Sequence, residues 1–93
     1  MRLRFAWDVR KAEANLRKHG VDFIEDATAF EDPLSIAIPD PDHSVDEERF
    51  ILIGRSKQQH LVVVAHIERG KTIRIISARS ASRRERVMYE EGE

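Results

Sequence analysis

Two clusters of side chains in this sequence have the types and spacing for chemistry on an anion. Toward the C-terminus, the stretch Thr72–Tyr89 (TIRIISARSASRRERVMY) carries Arg74, Arg79, Arg83, Arg84 and Arg86. It opens as a β-branched run, Thr72, Ile73, Ile75 and Ile76, interrupted by Arg74. It then reaches Ser82 and Glu85, whose spacing is that of a capping box at a helix N-terminus. A strand that delivers guanidinium groups beside a helix N-terminus suits a phosphate or carboxylate. The same arginines serve equally well as a solvated helix face, and composition does not choose between the two. Near the N-terminus, Lys18 and His19 fall in the last turn of a helix, where positive charge complements the dipole. That is an adequate structural reason for them, so a ligand-contacting role needs support from elsewhere.

The elements that position these groups follow from pattern. Leu3–Trp7 alternates as a short strand would. Asp8 is an N-cap for a helix to about His19, ended by Gly20. Val9, Ala12 and Leu16 give this helix a modest apolar face, while Asp8, Lys11, Asn15 and Lys18 share a polar stripe. Asp22, with Glu25 three residues on, opens a second short helix to about Phe30, buried through Phe23, Ala27 and Phe30. Trp7, Phe23 and Phe30 read as packing rather than as stacking platforms. Asp32-Pro33 stops that helix, and Leu34, Ile36 and Ile38 alternate as a half-buried strand. Residues 39–48 are an acidic loop by composition. Asp40, Asp42 and His43 lie in it without any recognised metal-ligand spacing, so no metal is expected there.

Three further strands are expected at Arg49–Arg55, Leu61–Ile67 and Thr72–Ala78, followed by a helix from Ser82 to about Glu90. The turns, Ser56–Gln59 and Arg69-Gly70, are short enough to force antiparallel hairpins. A two-residue Arg69-Gly70 turn sets His66 against Ile73, with His66, Ser77 and Arg79 on one face and Arg74 on the other. A three-residue loop containing Gly70 instead brings His66 level with Thr72, on the Arg74 face. Pattern alone leaves both registers open. The expected fold class is α+β: two N-terminal helices, a four-stranded antiparallel sheet and a C-terminal helix, in one domain over residues 1–93.

Composition narrows the function classes. At 41% hydrophobic and 35% charged residues the chain is globular rather than disordered. The absence of cysteine removes thiolate nucleophiles, disulfides and Cys-based zinc sites. The N-terminus lacks a signal-peptide apolar region and no run is long enough to span a bilayer, so a soluble, cytoplasmic protein is expected. The formal net charge of −1 hides a segregation. Ten of the 17 acidic residues lie between Asp22 and Glu48, a span without Lys or Arg. The remaining seven face all 16 basic residues, a formal excess of nine. Folding can turn this into a basic face that follows a phosphate backbone and an acidic face for a basic partner, or can interleave the charges.

At the level of motifs, Trp7-Asp8, Lys11, Asn15, Lys18-His19-Gly20-Val21 and Phe23 resemble the opening of the BrnT toxins. Asp32-Pro33, Glu48-Arg49, Ile53-Gly54, Glu68-Arg69, Arg74 to Arg79 as RIISAR, Glu85 and Tyr89 resemble the rest of that family, over nearly the whole chain. The resemblance implies a RelE-like fold and a ribonuclease that inhibits translation within a type II toxin–antitoxin module. It also implies a DNA-binding BrnA-like antitoxin, in a heterotetramer built on an antitoxin dimer, with operator DNA reached only through the antitoxin. No cofactor is implied.

Cleavage of RNA without a metal uses the substrate's 2′-OH as nucleophile. It requires a proton acceptor, cations for the charge that builds on phosphate, and a proton donor for the leaving oxygen. The candidate bases are His19 and Glu48. Lys18, Arg49, Arg74 and Arg79 are candidate phosphate contacts, with Arg79 the first choice for transition-state charge, and protonated His19 or Tyr89 is the candidate donor. One arginine aimed at developing charge is worth about 2–4 kcal/mol of barrier. Structural roles compete: Glu48 and Arg49 as strand-end ion-pair partners, and Tyr89 as a core residue with its hydroxyl at the rim. The competing functions are a nucleic-acid-binding module without catalysis and a protein-interaction domain that uses the acidic segment.

Overall fold

A computed structural model describes residues 3–40 and 48–92. The elements are β1 (Arg4–Ala6), α1 (Val9–His19), α2 (Phe23–Thr28) running into a 3-10 turn (Ala29–Glu31), β2 (Ile36–Pro39), β3 (Arg49–Arg55), β4 (Leu61–Arg69), β5 (Thr72–Ser80) and α3 (Arg83–Glu91). The caps lie where the sequence places them. Asp8 accepts hydrogen bonds from the backbone N–H groups of Arg10 and Lys11, Asp22 from that of Ile24, and Gly20 ends α1 in the left-handed region at φ +71. Glu25 does not close a box on Asp22. Its carboxylate instead accepts from the Ser56 hydroxyl and meets His60 Nδ1, each at 2.6 Å, tying α2 to the β3–β4 loop. Most of the acidic 39–48 loop, including Asp42 and His43, lies outside the described residues.

The sheet has five strands in the order β1-β5-β4-β3-β2 and is mixed, which corrects the expected four antiparallel strands. β2 to β5 form the antiparallel meander, but β1 pairs in parallel with β5, Arg4 to Thr72 and Phe5 to Ile73. The strand itself falls within the alternating Leu3–Trp7 stretch, but its parallel pairing with a partner about 70 positions away depends on chain closure rather than on local pattern. The last hairpin also differs from both expected registers. Gly70 and Lys71 form its two-residue loop, with Arg69 opposite Thr72. Gly70 supplies the positive φ, +59, that such a loop wants at its first position.

Side chains alternate across the sheet and the two faces carry different helices. On one face Leu52, Val62, Val64, Ile73, Ile75 and Ala78 pack with Val21, Phe23 and Ala29, flanked by Phe5, Trp7, Ala12, Ala27 and Phe30. The aromatic rings meet edge to face, Phe5 on Phe30 at 5.3 Å and Trp7 on Phe23 at 6.0 Å, so they are packing groups. His66 joins this face fully buried, its ring against Phe30 and Phe50. On the other face Ile53, Leu61 and Val63 lie under Ala81 and Tyr89, where α3 docks. The expected apolar face of α1 is used only at Ala12. Val9 and Leu16 are 66% and 48% exposed, and the helix meets the sheet through Ala12 and the buried Asn15. With one short apolar residue and one amide on that side, hydrogen bonding rather than apolar area decides the helix's rotation.

Asp26, on the inner side of α2, is completely buried and neither carboxylate oxygen has a hydrogen-bond partner. Burial, reinforced by the charges of Glu25 and Asp22, pushes its pKa up to about 7. The unfolded chain ionises this group near 3.8, so between about 4 and 7 folding takes up a proton and stability falls as pH rises, levelling above about 7. Three pH units at about 1.4 kcal/mol each set an upper bound of about 4 kcal/mol on the loss. Asp26→Asn is therefore expected to flatten this decline, so that the variant gains on the wild type between pH 5 and pH 8. Urea unfolding midpoints of both proteins across that range check it.

Candidate active site

A β-bulge organises the basic residues of β5. Ala65 of β4 opposes Ser77 and His66 opposes Ile75, which leaves Ile76 as an extra residue. In an unbroken strand Arg74 and Arg79, five apart, project from opposite faces. The inserted residue restores their parity, and Arg74, Ser77 and Arg79 all stand on the α3 face, with His66 on the other. This corrects the expected separation of Arg74 from Arg79 and removes His66 from their company.

The end of α1 comes to the same place through Asn15. Its side-chain amide donates to the backbone carbonyls of Ala78 (2.8 Å) and Val21 (3.2 Å), and its oxygen accepts from the Ala78 N–H (3.1 Å). Ala78 lies past the end of the short β1, so the amide occupies the position a neighbouring strand's peptide would take. Asn15 is thus a structural residue, not a ligand-facing member of the polar stripe. One turn further on, the exposed Lys18 and His19 line a groove of about 220 Å³ with Lys11, Ala14, Asn15, Ile76 and Ser77. The structure therefore sets Lys18 and His19 beside Ser77, a hydroxyl that sequence reasoning passed over. Its only advance signal was its place between two arginines on one strand.

The two β5 arginines differ in partnership. Arg79 is held bidentate by Glu85, both contacts at 2.7 Å, and also donates to the Ser80 carbonyl. Glu85 in turn closes the capping box of α3 with Ser82. The Arg79 guanidinium, followed by the Ser82 N–H, lowers the Glu85 pKa to about 2, which makes it a poor base at neutral pH. Arg79 is correspondingly raised, mainly by the same carboxylate. Arg74 is half-buried and has no ion-pair partner among the described residues. It shares a cross-strand row with Ile67 and Arg49 on the same face, two strand spacings (roughly 10 Å) from Arg49. Glu48 is exposed immediately before β3.

Tyr89 is not brought to this cluster. α3 crosses toward β3, and the Tyr89 hydroxyl donates to Asp32 Oδ2 at 2.6 Å with the Arg55 guanidinium 5.5 Å from its ring. Burial and the Asp32 hydrogen bond raise its pKa. For Asp32 burial acts upward, but the hydrogen bonds from Tyr89 and from the Leu34 and Arg55 N–H groups outweigh it and the pKa is lowered. These residues line a second groove of about 410 Å³ with Thr28, Glu31, Leu34, Ser56, Lys57 and Gln59. Its charges are balanced, with Lys57 paired to Glu31 at 3.7 Å.

A five-stranded mixed sheet with three helices, and with imidazole, ammonium and guanidinium groups on and beside one bulged strand, defines a small α+β protein. The comparisons with known proteins agree. Residues 7–85 match the family described as the ribonuclease toxin, BrnT, of type II toxin–antitoxin systems, and the chain belongs to that family. Among solved structures it is similar to the crystal structure of the Brucella abortus ribonuclease toxin, BrnT, with 30% sequence identity and a TM-score of 0.69. That similarity spans 87% of this chain and 99% of the Brucella chain. No curated protein matches the chain significantly.

Asn15→Ala is expected to cost roughly 2–3 kcal/mol, because it strands the Ala78 N–H and C=O in a buried position. A leftward shift of the urea unfolding midpoint at unchanged m-value checks it.

Proposed function

We propose that this chain cleaves RNA without a resident metal, using the substrate's 2′-OH, and thereby blocks translation in the cytoplasm on a RelE-like scaffold. The observation that carries the reading is the convergence of Lys18 and His19 on Ser77, on the strand that turns Arg74 and Arg79 to one face. In this reading His19 accepts the 2′-OH proton and, once protonated, gives it to the departing 5′-oxygen. Bond formation at phosphorus and loss of the leaving group then leave a 2′,3′-cyclic phosphate. Glu48 is the alternative base. Lys18, Arg74 and Arg49 take the charge on the phosphoryl oxygens, and Arg79 joins them only by exchanging Glu85 for substrate. A divalent metal is disfavoured by the residues themselves, since Lys18, His19, Arg74 and Arg79 supply positive charge where a hard cation needs several carboxylate oxygens. Tyr89, anchored on Asp32, acts in this reading through the docking of α3.

The partner is a BrnA-like antitoxin, assembled as a heterotetramer around an antitoxin dimer that alone contacts the operator. The acidic Asp22–Glu48 segment and the exposed Ile24 and Leu34 within it suit a basic, partly apolar surface on that partner.

The test is expression of the chain alone in bacteria, with purified protein assayed on RNA. Wild type is expected to arrest growth and cleave RNA. Arg74→Ala is the cleanest disabling variant because it strands no ion-pair partner among the described residues, and it is expected to lower kcat about 10²–10³-fold with the fold intact. Tyr89→Phe is expected to cleave within a few-fold of wild type while losing stability. Salt-sensitive binding that leaves RNA whole overturns the catalytic reading.

A further inference from the structure

The groove between α1 and β5 extends beyond the residues assigned to cleavage. Lys11 stands seven residues before Lys18 on the same stripe of α1, two helical turns or about 10 Å along the axis. Asn15, between them, clamps the helix to Ala78 and so sets the width of the groove against Ile76 and Ser77. The residues lining it include Lys11, Lys18, His19 and the Ser77 hydroxyl but no carboxylate. Neither lysine has an ion-pair partner among the described residues. Other grooves differ: that beside Tyr89 holds Glu31 and Asp32, and that beside Leu34 holds Glu90. Of these three, the groove between α1 and β5 best fits a negatively charged ligand that only accepts hydrogen bonds.

We propose that this groove is a backbone subsite for single-stranded RNA, in which Lys11 grips a phosphate one step removed from the linkage presented to His19. This rests on the ribonuclease reading and extends it, since it assigns a substrate position to a residue outside the reacting centre. The groove sets Lys11 and Lys18 beside Ile76 and Ser77, on the same strand as Arg74. The groove, at about 220 Å³, lies between a helix and a strand edge, and its lining of cations and a hydroxyl suits the backbone of a single strand.

The experiment measures binding of a fluorescent, mixed-sequence, 2′-O-methyl RNA oligonucleotide, which cannot be cleaved through its 2′ position, as salt is raised from 50 to 200 mM. Each lysine that neutralises a single-strand phosphate contributes about 0.7 to the slope of log K against log salt. Lys11→Ala is expected to lower the slope by about 0.7 and to weaken binding at 50 mM. Arg17→Ala, which removes an equal charge from the exposed surface of α1 outside the groove, is expected to leave the slope unchanged. A slope unmoved by Lys11→Ala, or lowered equally by both variants, overturns the subsite. Parallel assays on unmodified RNA separate the two readings. Intact RNA with a slope that falls only for Lys11→Ala rejects the nuclease and keeps the groove, whereas cleaved RNA with an unmoved slope does the reverse.

Discussion

The constraint on which the rest of the molecule depends is the pairing of one side-chain amide with one peptide group. β1 is only three residues long, and beyond it the outer edge of β5 lacks a neighbouring strand. Asn15 fills that position at Ala78 with a donor and an acceptor, and uses its remaining donor contact to hold Val21, just past the end of α1. An unpaired buried peptide group costs about as much as several methyl groups gain by burial, so this arrangement is strongly selected over a slipped helix. It replaces the apolar stripe that most surface helices use, and it explains how α1 tolerates Val9 and Leu16 in solvent.

Two irregularities then do what regular structure cannot. The amide clamp sets the end of α1, with Lys18 and His19, against Ser77. The bulge at Ile76 brings Arg74 and Arg79 onto a common face. Each is a local departure from ideal geometry, and both lie on β5 within a few residues of one another. Bulges recur beside active sites because one added residue re-aims every side chain that follows it. Here the gain is a basic face beneath one end of α3, while His66 is left to fill the core between Phe30 and Phe50.

Charge follows the same division. Arg79 commits its fork to Glu85 and so fastens α3 to the sheet, while Arg74 has no such partner among the described residues. The first-choice arginine of the sequence is therefore the better anchored and the less free of the two. The chain belongs to the BrnT ribonuclease toxin family. The distribution of partners among the cations thus separates a group that builds the scaffold, Arg79, from one that does not pair across it, Arg74, among the described residues.

Caps and periodicity were legible in the chain because they depend on neighbours within four residues. Asp8, Gly20, Asp22 and the Ser82–Glu85 box are satisfied locally wherever the rest of the chain goes. The three long strands were legible for the same reason, through β-branched runs that suit a pleated surface. The family too could be read from spaced motifs. The parallel pairing of β1, the bulge at Ile76 and the burial of Asn15 could not, because each is decided between elements distant in the chain, and the Gly70-Lys71 loop was set by the register of the strands it joins. Facing and pairing depend on which backbone groups remain unsatisfied once the sheet has closed, and only the assembled tertiary structure determines that.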